Sequence, residues 1–319
     1  MDFERLGSEL LRALRGRRSQ VAFSRRLGYR SNVAATWEGR RRWPTAATVF
    51  RAGERVGVDI DAGLRGFYRV DVAFLDALDL TSAEGVAALL QDLRRDLPFS
   101  EIAVRTGASR FQVSRWFRGE SEPRLPDLLR LIAATTQRLL DFVAVFVDPG
   151  ALPCTAEAWE RLEASRTLFW RMPHAQLVLL ALELEPYRAL PEHDDAWLAN
   201  HLGLEVYEVV GALDRLRATY QIREDGRHFT PDQVQTVDTR RHPDAGPALK
   251  RWWAQRALDR LDAPGASWSY NAFTVSNADH QRIVELYRAT YRQMRAIVAT
   301  SEPGERLVLV QQVILPLDT

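Results

Sequence analysis

One stretch of this chain is written twice, 79 residues apart. Gly28, Trp37 and Pro44 recur as Gly107, Trp116 and Pro123, and Ser19-Gln20-Val21-Ala22-Phe23 before the first glycine is matched by Phe99-Ser100-Glu101-Ile102-Ala103 before the second. A fixed offset of this kind means one supersecondary unit built in duplicate, which limits the N-terminal half to a small fold used twice. Each copy follows apolar residues spaced three and four apart, Leu6, Leu10, Leu11 and Leu14 in the first and Val86, Leu89, Leu90 and Leu93 in the second. That period predicts an amphipathic helix. Ser19 and Ser100 stand where N-caps would open a second, short helix. The glycine then allows the positive φ of a sharp turn. Ser31 and Ser109 are placed to open a third helix, with Val33, Ala34 and Trp37 inward in one copy and Val113 and Trp116 inward in the other.

This arrangement resembles the Xre-type, lambda-repressor-like helix-turn-helix regulators. That family places a small residue four before the turn glycine and an aliphatic six after it. An aromatic follows at nine, a glycine near twelve and a proline at sixteen. The second copy meets these points with Ala103, Val113, Trp116, Gly119 and Pro123. The first departs in three places: Ser24 stands for the alanine, Ala34 is a small aliphatic, and Gly39 comes one residue early. It keeps Trp37-Glu38 and Pro44.

The resemblance implies that the third helix enters the DNA major groove and reads base edges from its first turn and the turn after. Carried over, those positions are Ser31, Asn32 and Thr36 in the first copy and Arg110, Phe111, Gln112 and Arg115 in the second. Asparagine can read adenine, arginine guanine, and an exposed ring a thymine methyl. Gln20 sits where the family anchors a phosphate, and Arg30, Arg40, Arg41, Arg42 and Arg118 are natural phosphate partners. Plainer roles stand beside these: Phe111 as a core residue, Arg115 paired with Glu101 or Glu120, and Arg40–Arg42 as a solvated turn.

Charge separates the copies. Residues 1–66 hold 14 Arg against 7 Asp and Glu, whereas residues 67–150 hold 10 Arg against 12 acids, among them Asp92, Asp96, Glu101, Glu120 and Glu122. A basic excess confined to one small segment is the footprint of a polyanion binder, and it favours the first copy as the main reader. Two arrangements remain open: both copies bind, making one chain a pseudo-dimer, or one binds and the other packs.

Asp148-Pro149-Gly150 and Leu152-Pro153 break the helical pattern and predict a linker. Beyond it, helices are expected over Glu157–Trp170 and around Gln176–Leu184. A short helix at Ala196–Leu202, a turn at Gly203, and a helix over Glu205–Tyr220 with Val206, Val209, Val210, Leu213 and Leu216 on one face come next. Asp225-Gly226 between extended runs then signals a hairpin. Helix, turn, helix, hairpin is the order of a winged helix; with Glu205, Glu208 and Asp214 on its second helix, this unit reads as a packing or signal-relay module. After a polar break at 240–247, a helix to about Leu261, a strand at Trp268–Val275, a helix over Asn277–Thr300 and a strand at Leu307–Leu317 predict a β-α-β unit. This region is similar to the C-terminal domain of unknown function in a family of bacterial Xre-type regulators.

Catalytic patterns are lacking in the sequence. The six histidines (174, 193, 201, 228, 242 and 280) form no ligand-spaced motif, and no phosphate-binding glycine loop or nucleophile elbow is present. His193, Asp194, Asp195 and His201 lie close in sequence, but the two aspartates are better read as first-turn residues of a helix. Cys154 is the single cysteine, has no basic activator beside it, and rules out an internal disulfide, which fits a reducing cytoplasm. Asp2, Glu4, Arg5 and Glu9 occupy the place of a signal peptide's apolar core, and the apolar runs are short of a membrane span, so neither is expected.

The expectation is therefore a mainly α chain in four parts: helix-turn-helix domains at 1–66 and 67–150, a winged-helix-like module at 151–240, and an α+β effector or oligomerisation domain at 241–319. It is expected to act as a transcriptional regulator on double-stranded DNA, without catalysis, metal or cofactor. Self-association to a homodimer is expected, because specific sites usually pair two half-sites. An effector or protein partner at the C-terminal domain is also expected. The competing reading is a protein-interaction adaptor whose helix-turn-helix units bind a partner regulator instead of DNA.

Overall fold

The computed structural model of the chain describes residues 1–68, 73–94, 97–232, 244–299, 301 and 303–317. Asp96, His242 and the first residues of the polar break at 240–247 lie outside them. The chain is mainly helical and divides into two compact units, Met1–Glu160 and Arg161–Thr319. Residues 1–66 and 67–150 thus fall together in one unit, which continues past the Pro149 break to Glu160. Among the described residues no helix is long and apolar enough to cross a membrane.

The first unit contains α1 (Phe3–Arg15), α2 (Gln20–Arg26), α3 (Val33–Glu38), α4 (Ala46–Val56) and α5 (Ile60–Phe67). It then repeats the series as α6 (Ala83–Arg94), α7 (Phe99–Thr106), α8 (Arg110–Phe117), α9 (Leu125–Thr136) and α10 (Leu139–Val143). The offset of 79 therefore extends over five helices in each copy. Capping explains where several of them start. Asp2 accepts from the Glu4 and Arg5 amides, Ser19 from Ala22, Thr45 from Thr48 and Ser109 from Gln112, each satisfying an amide that a helix start leaves bare. Two expected caps differ. Asn32, not Ser31, caps α3, so this helix starts two residues later than its counterpart. Ser100 lies inside α7, which begins after Pro98; proline is tolerated there because it has no amide to leave unpaired.

Both copies drain into one core. Leu6, Leu10, Phe23, Trp37 and Phe50 of the first and Leu89, Leu90, Ile102, Trp116 and Leu129 of the second belong to a single buried cluster that runs on to Leu152. Leu152 is buried, so the predicted linker is a packed segment of the first unit. The copies also meet along their backbones. The Ala46 amide donates to Pro123 O at 3.0 Å, and the Leu125 amide donates to Pro44 O at 3.0 Å. Thr45 stands opposite Arg124 in an antiparallel bridge. Thr45 and Arg124 are equivalents under the 79-residue offset, and the two flanking bonds are each other's counterparts.

In the second unit, α11 (Ala156–Arg171, which begins before residue 161), α12 (His174–Ala181) and α13 (Glu185–Arg188) precede α14 (Asp195–Leu202) and α15 (Val206–Ala218). The strands β1 (Ile222–Asp225) and β2 (His228–Pro231) form an antiparallel hairpin with Asp225 opposite His228. Gly226 in its turn holds φ at +65°, where a side chain would be strained. Val209, Ala212, Leu213 and Leu216 turn α15 inward. Val206 and Val210, expected on that face, are exposed, so the helix is rolled toward Ala212. Arg256 and Arg260 of α16 (Ala245–Leu258) and the turn after it donate to Leu202 O at 2.6 and 3.0 Å, closing the C-terminus of α14.

The expected β-α-β unit is not what the C-terminal residues form. Its helix is present as α17 (Asn277–Ala299), but Trp268–Val275 and Leu307–Leu317 are without ladder partners, and β1–β2 is the one sheet among the described residues. Trp268, Tyr270, Phe273, Val308, Val310, Val313 and Leu315 are all exposed. A Val- and Leu-rich run has strand propensity only as a surface that fits a pleated, half-buried neighbour. Among the described residues neither stretch has a neighbouring strand to pair with.

Candidate nucleic-acid interface

A set of buried polar groups fixes α3 against α1 and α2. The Ser24 hydroxyl accepts from the Ala34 amide at 3.0 Å and lies 2.8 Å from Gln20 O, bolting the two short helices together at the position where the second copy has Ala103. Glu38, only 4% exposed, accepts from Arg15 Nε at 2.6 Å and Gln20 Nε2 at 2.9 Å, while Ser8 Oγ and Arg12 Nη2 donate to its carbonyl. A buried carboxylate is tolerable only with partners of this quality. Gln20 is therefore tied to Glu38 through its amide nitrogen, where a phosphate contact was expected.

The second copy solves the same problem without an ion pair. The equivalents of Gln20, Glu38 and Arg15 are Phe99, Phe117 and Arg94. The two rings pack at 5.4 Å, and the Arg94 guanidinium sits 4.5 Å over Phe99. Gln91 Nε2 donates to Phe117 O at 2.9 Å, as Arg12 does to Glu38 O. Trp37 and Trp116 are both buried beneath their helices, and both turn glycines take positive φ, +88° at Gly28 and +72° at Gly107.

On this scaffold the residues singled out from sequence sort into three groups. Arg30, Ser31, Arg41, Arg42, Arg110 and Gln112 are exposed, and the four arginines make no ion pair among the described residues. Phe111 is 73% exposed, so the core reading of its ring is excluded. A second group is exposed but engaged. Arg115 and Arg118 lie 3.8 and 3.4 Å from Glu120, Arg115 also stands 6.0 Å from the Phe111 ring, and Arg40 is 3.7 Å from Asp2. Such surface pairs are worth about 0–1 kcal/mol and exchange readily for another anion. In the third group the side chain has local work. Asn32 is exposed, yet its Oδ1 caps α3 by accepting from Ala35 at 3.3 Å. Thr36 is half-buried and its hydroxyl donates to Val33 O at 2.7 Å. The second copy thus presents a full two-turn helix whose first turn carries the unpaired Arg110 and whose last turn pairs with Glu120, while the first presents a shorter helix flanked by the unpaired Arg30, Arg41 and Arg42.

Arg40 shows what sequence alignment missed. It has φ of +58°, and its equivalent is Gly119 at +73°. The glycine of the first copy, Gly39, has φ of −82° and instead lets the chain pass Ala35 O, which an added Cβ would approach to 2.9 Å. A left-handed arginine costs roughly 1 kcal/mol. Arg40→Gly is expected to raise stability by about that amount, moving the thermal midpoint up by about 2–4 °C. A lower midpoint would refute the equivalence of Arg40 and Gly119.

Groups elsewhere are accounted for by packing. Cys154 donates its amide to Glu9 Oε2 at 2.8 Å, and burial together with the Glu9 carboxylate pushes the thiol up to about 12. Its thiolate fraction at pH 8 is about a thousandth of an ordinary cysteine's. Alkylation by iodoacetamide at pH 8 should run ~10³-fold slower on the folded chain than on the denatured one; rates within tenfold would contradict this. His193 bridges Tyr187 (3.0 Å) and Asp195 (2.8 Å), and the Tyr187 hydroxyl accepts from the Phe229 amide at 3.1 Å, tying the hairpin to α13. Asp194 is the N-cap of α14. No group of three His, Cys, Asp or Glu suited to a metal occurs among the described residues. Comparison of the chain with family models, with characterised proteins and with solved structures finds no match.

Proposed function

We propose that this chain is a sequence-specific, DNA-binding transcriptional regulator of the cytoplasm. In this reading α2–α3 and α7–α8 are tandem lambda-repressor-like helix-turn-helix units, α14, α15 and the hairpin are a winged-helix-like module, and the residues from 241 onward serve oligomerisation or an effector. The observation that carries the reading is the set of free, exposed arginines, Arg30, Arg41 and Arg42 around α3 of the first copy and Arg110 at the start of α8 in the second. Exposed, unpaired guanidiniums next to a short helix held by a buried tryptophan are what phosphate positioning and base reading require. Self-association is supported by the exposed apolar side chains of the two C-terminal stretches, Trp268, Tyr270 and Phe273 in one and Val308, Val310, Val313 and Leu315 in the other.

A protein-binding adaptor is favoured by one observation of its own: Phe111 and Val104 are exposed on the second copy, whose Arg115 and Arg118 are already matched by Glu120. Fluorescent duplexes at low salt separate the two readings. If α8 reads bases, Arg110→Ala should cost ~1–3 kcal/mol on the preferred sequence and little on others. Arg41→Ala should weaken every sequence alike. An adaptor would retain no duplex at all.

A further inference from the structure

We infer that a single chain reads both halves of an inverted duplex site, and that the two halves differ in sequence. The inference rests on the DNA-binding reading above and deepens it. Its basis is the crossing of the two copies. Ala46 donates to Pro123 and Leu125 to Pro44, both at 3.0 Å, around the pair Thr45 and Arg124. Each amide here bonds the carbonyl equivalent to that of the residue two before it in its own copy, so the exchange is reciprocal. Two strands crossing in this way are related by a local twofold axis midway between them.

The symmetry is not confined to the crossing. Arg26 Nε donates to Arg55 O at 2.5 Å, and their equivalents repeat the bond as Arg105 Nη1 to Ala134 O at 2.9 Å. Thr36 O accepts from the Arg41 and Arg42 amides, just as Arg115 O accepts from Glu120 and Ser121. The copies share local structure, and aromatic rings from both interlock in one core, with Phe50 6.3 Å from Phe142 and Phe67 5.8 Å from it. The first unit is thus an intramolecular counterpart of a twofold dimer.

Duplex DNA has twofold axes of its own, and twofold readers use them to place two third helices in successive major grooves about 34 Å apart. Reach permits this here. Six residues separate the end of α3 from Thr45, and six separate the end of α8 from Arg124. Each connector spans at most about 24 Å.

What breaks the symmetry is the reading set. Ser31, Asn32 and Thr36 have Arg110, Phe111 and Arg115 as their equivalents. Two arginines around an exposed ring favour guanines flanking a thymine methyl, whereas small polar side chains do not. A perfect palindrome would mismatch one half.

The test uses the full chain and a pool of random-sequence duplexes at about 50 mM salt, followed by native mass spectrometry of the selected complex. The expected outcome is equal numbers of chains and duplexes on a site with two unlike, inverted halves. Inserting five base pairs, about half a turn, between the halves should then lower affinity by ~10²-fold or more, because the second contact is lost. Two chains per duplex on a symmetric palindrome would overturn the inference while leaving the DNA reading intact, as would an insertion without effect. Retention of no duplex in the first step would remove the DNA reading itself.

Discussion

Raising salt from about 50 to 200 mM should weaken duplex binding by roughly 10²- to 10⁴-fold, and the slope should report how many arginines engage phosphate. Neutralising Z phosphates on B-DNA gives a log–log slope of about −0.9Z. If only the free Arg30, Arg41, Arg42 and Arg110 participate, the slope is about −4 and the fourfold rise in salt costs ~10²-fold. If Arg40, Arg115 and Arg118 leave Asp2 and Glu120 for phosphate, the slope steepens to about −6, and the loss approaches ~10⁴-fold. Fluorescence anisotropy over that range distinguishes the two. Glu120→Gln would release Arg115 and Arg118 and strengthen binding at every salt concentration. A flat salt profile with the helical content unchanged would end the case for a phosphate-bound interface.

The repeat and its helices were legible because periodicity is local. A leucine stripe at three and four, a serine cap at Ser19 or Ser109, and a turn glycine each act over a few residues and need no partner from afar. The choice between equivalent polar neighbours was less legible. Ser31 and Asn32 are both good caps, and only the position of Ser24 and Ala35 decides for Asn32. Gln20 was read as a phosphate anchor because its partner Glu38 is 18 residues away, and nothing in the sequence says that Glu38 is buried. Phe111 is the reverse case: hydrophobicity argued for the core, but its neighbours Val113 and Trp116 take the inward positions on α8 and leave the ring outside.

The C-terminal strands mark where sequence reasoning stops for a physical reason. Strand propensity in Leu307–Leu317 describes what the residues can do beside a partner. Whether a partner is present is not a local property. The same holds for the boundary after Gly150. Proline and glycine do break the helix there, but Leu152 and Trp159 are buried, and burial decides where a unit ends.

Phe142→Ala is expected to lower the stability of the first unit by ~3–5 kcal/mol, the range for deleting a fully buried ring. Domains of ordinary stability hold only about 5–15 kcal/mol, so the loss takes a large share. The position is special because symmetry cannot fill it twice. Its equivalent under the repeat is Gly63, where an added Cβ would come within 2.9 Å of Val145 Cγ1. One ring from the second copy therefore packs against Phe50 and Phe67 of the first, as well as Phe146 of its own. If the copies form one cooperative core, amides of α4 and α9 should lose hydrogen-exchange protection together in the variant. Two independent domains would behave differently: α9 would lose protection and α4 would keep it. That second result would leave Pro44 and Pro123 as a surface contact between separate folds, and would take away the fixed twofold geometry on which single-chain reading of two half-sites depends.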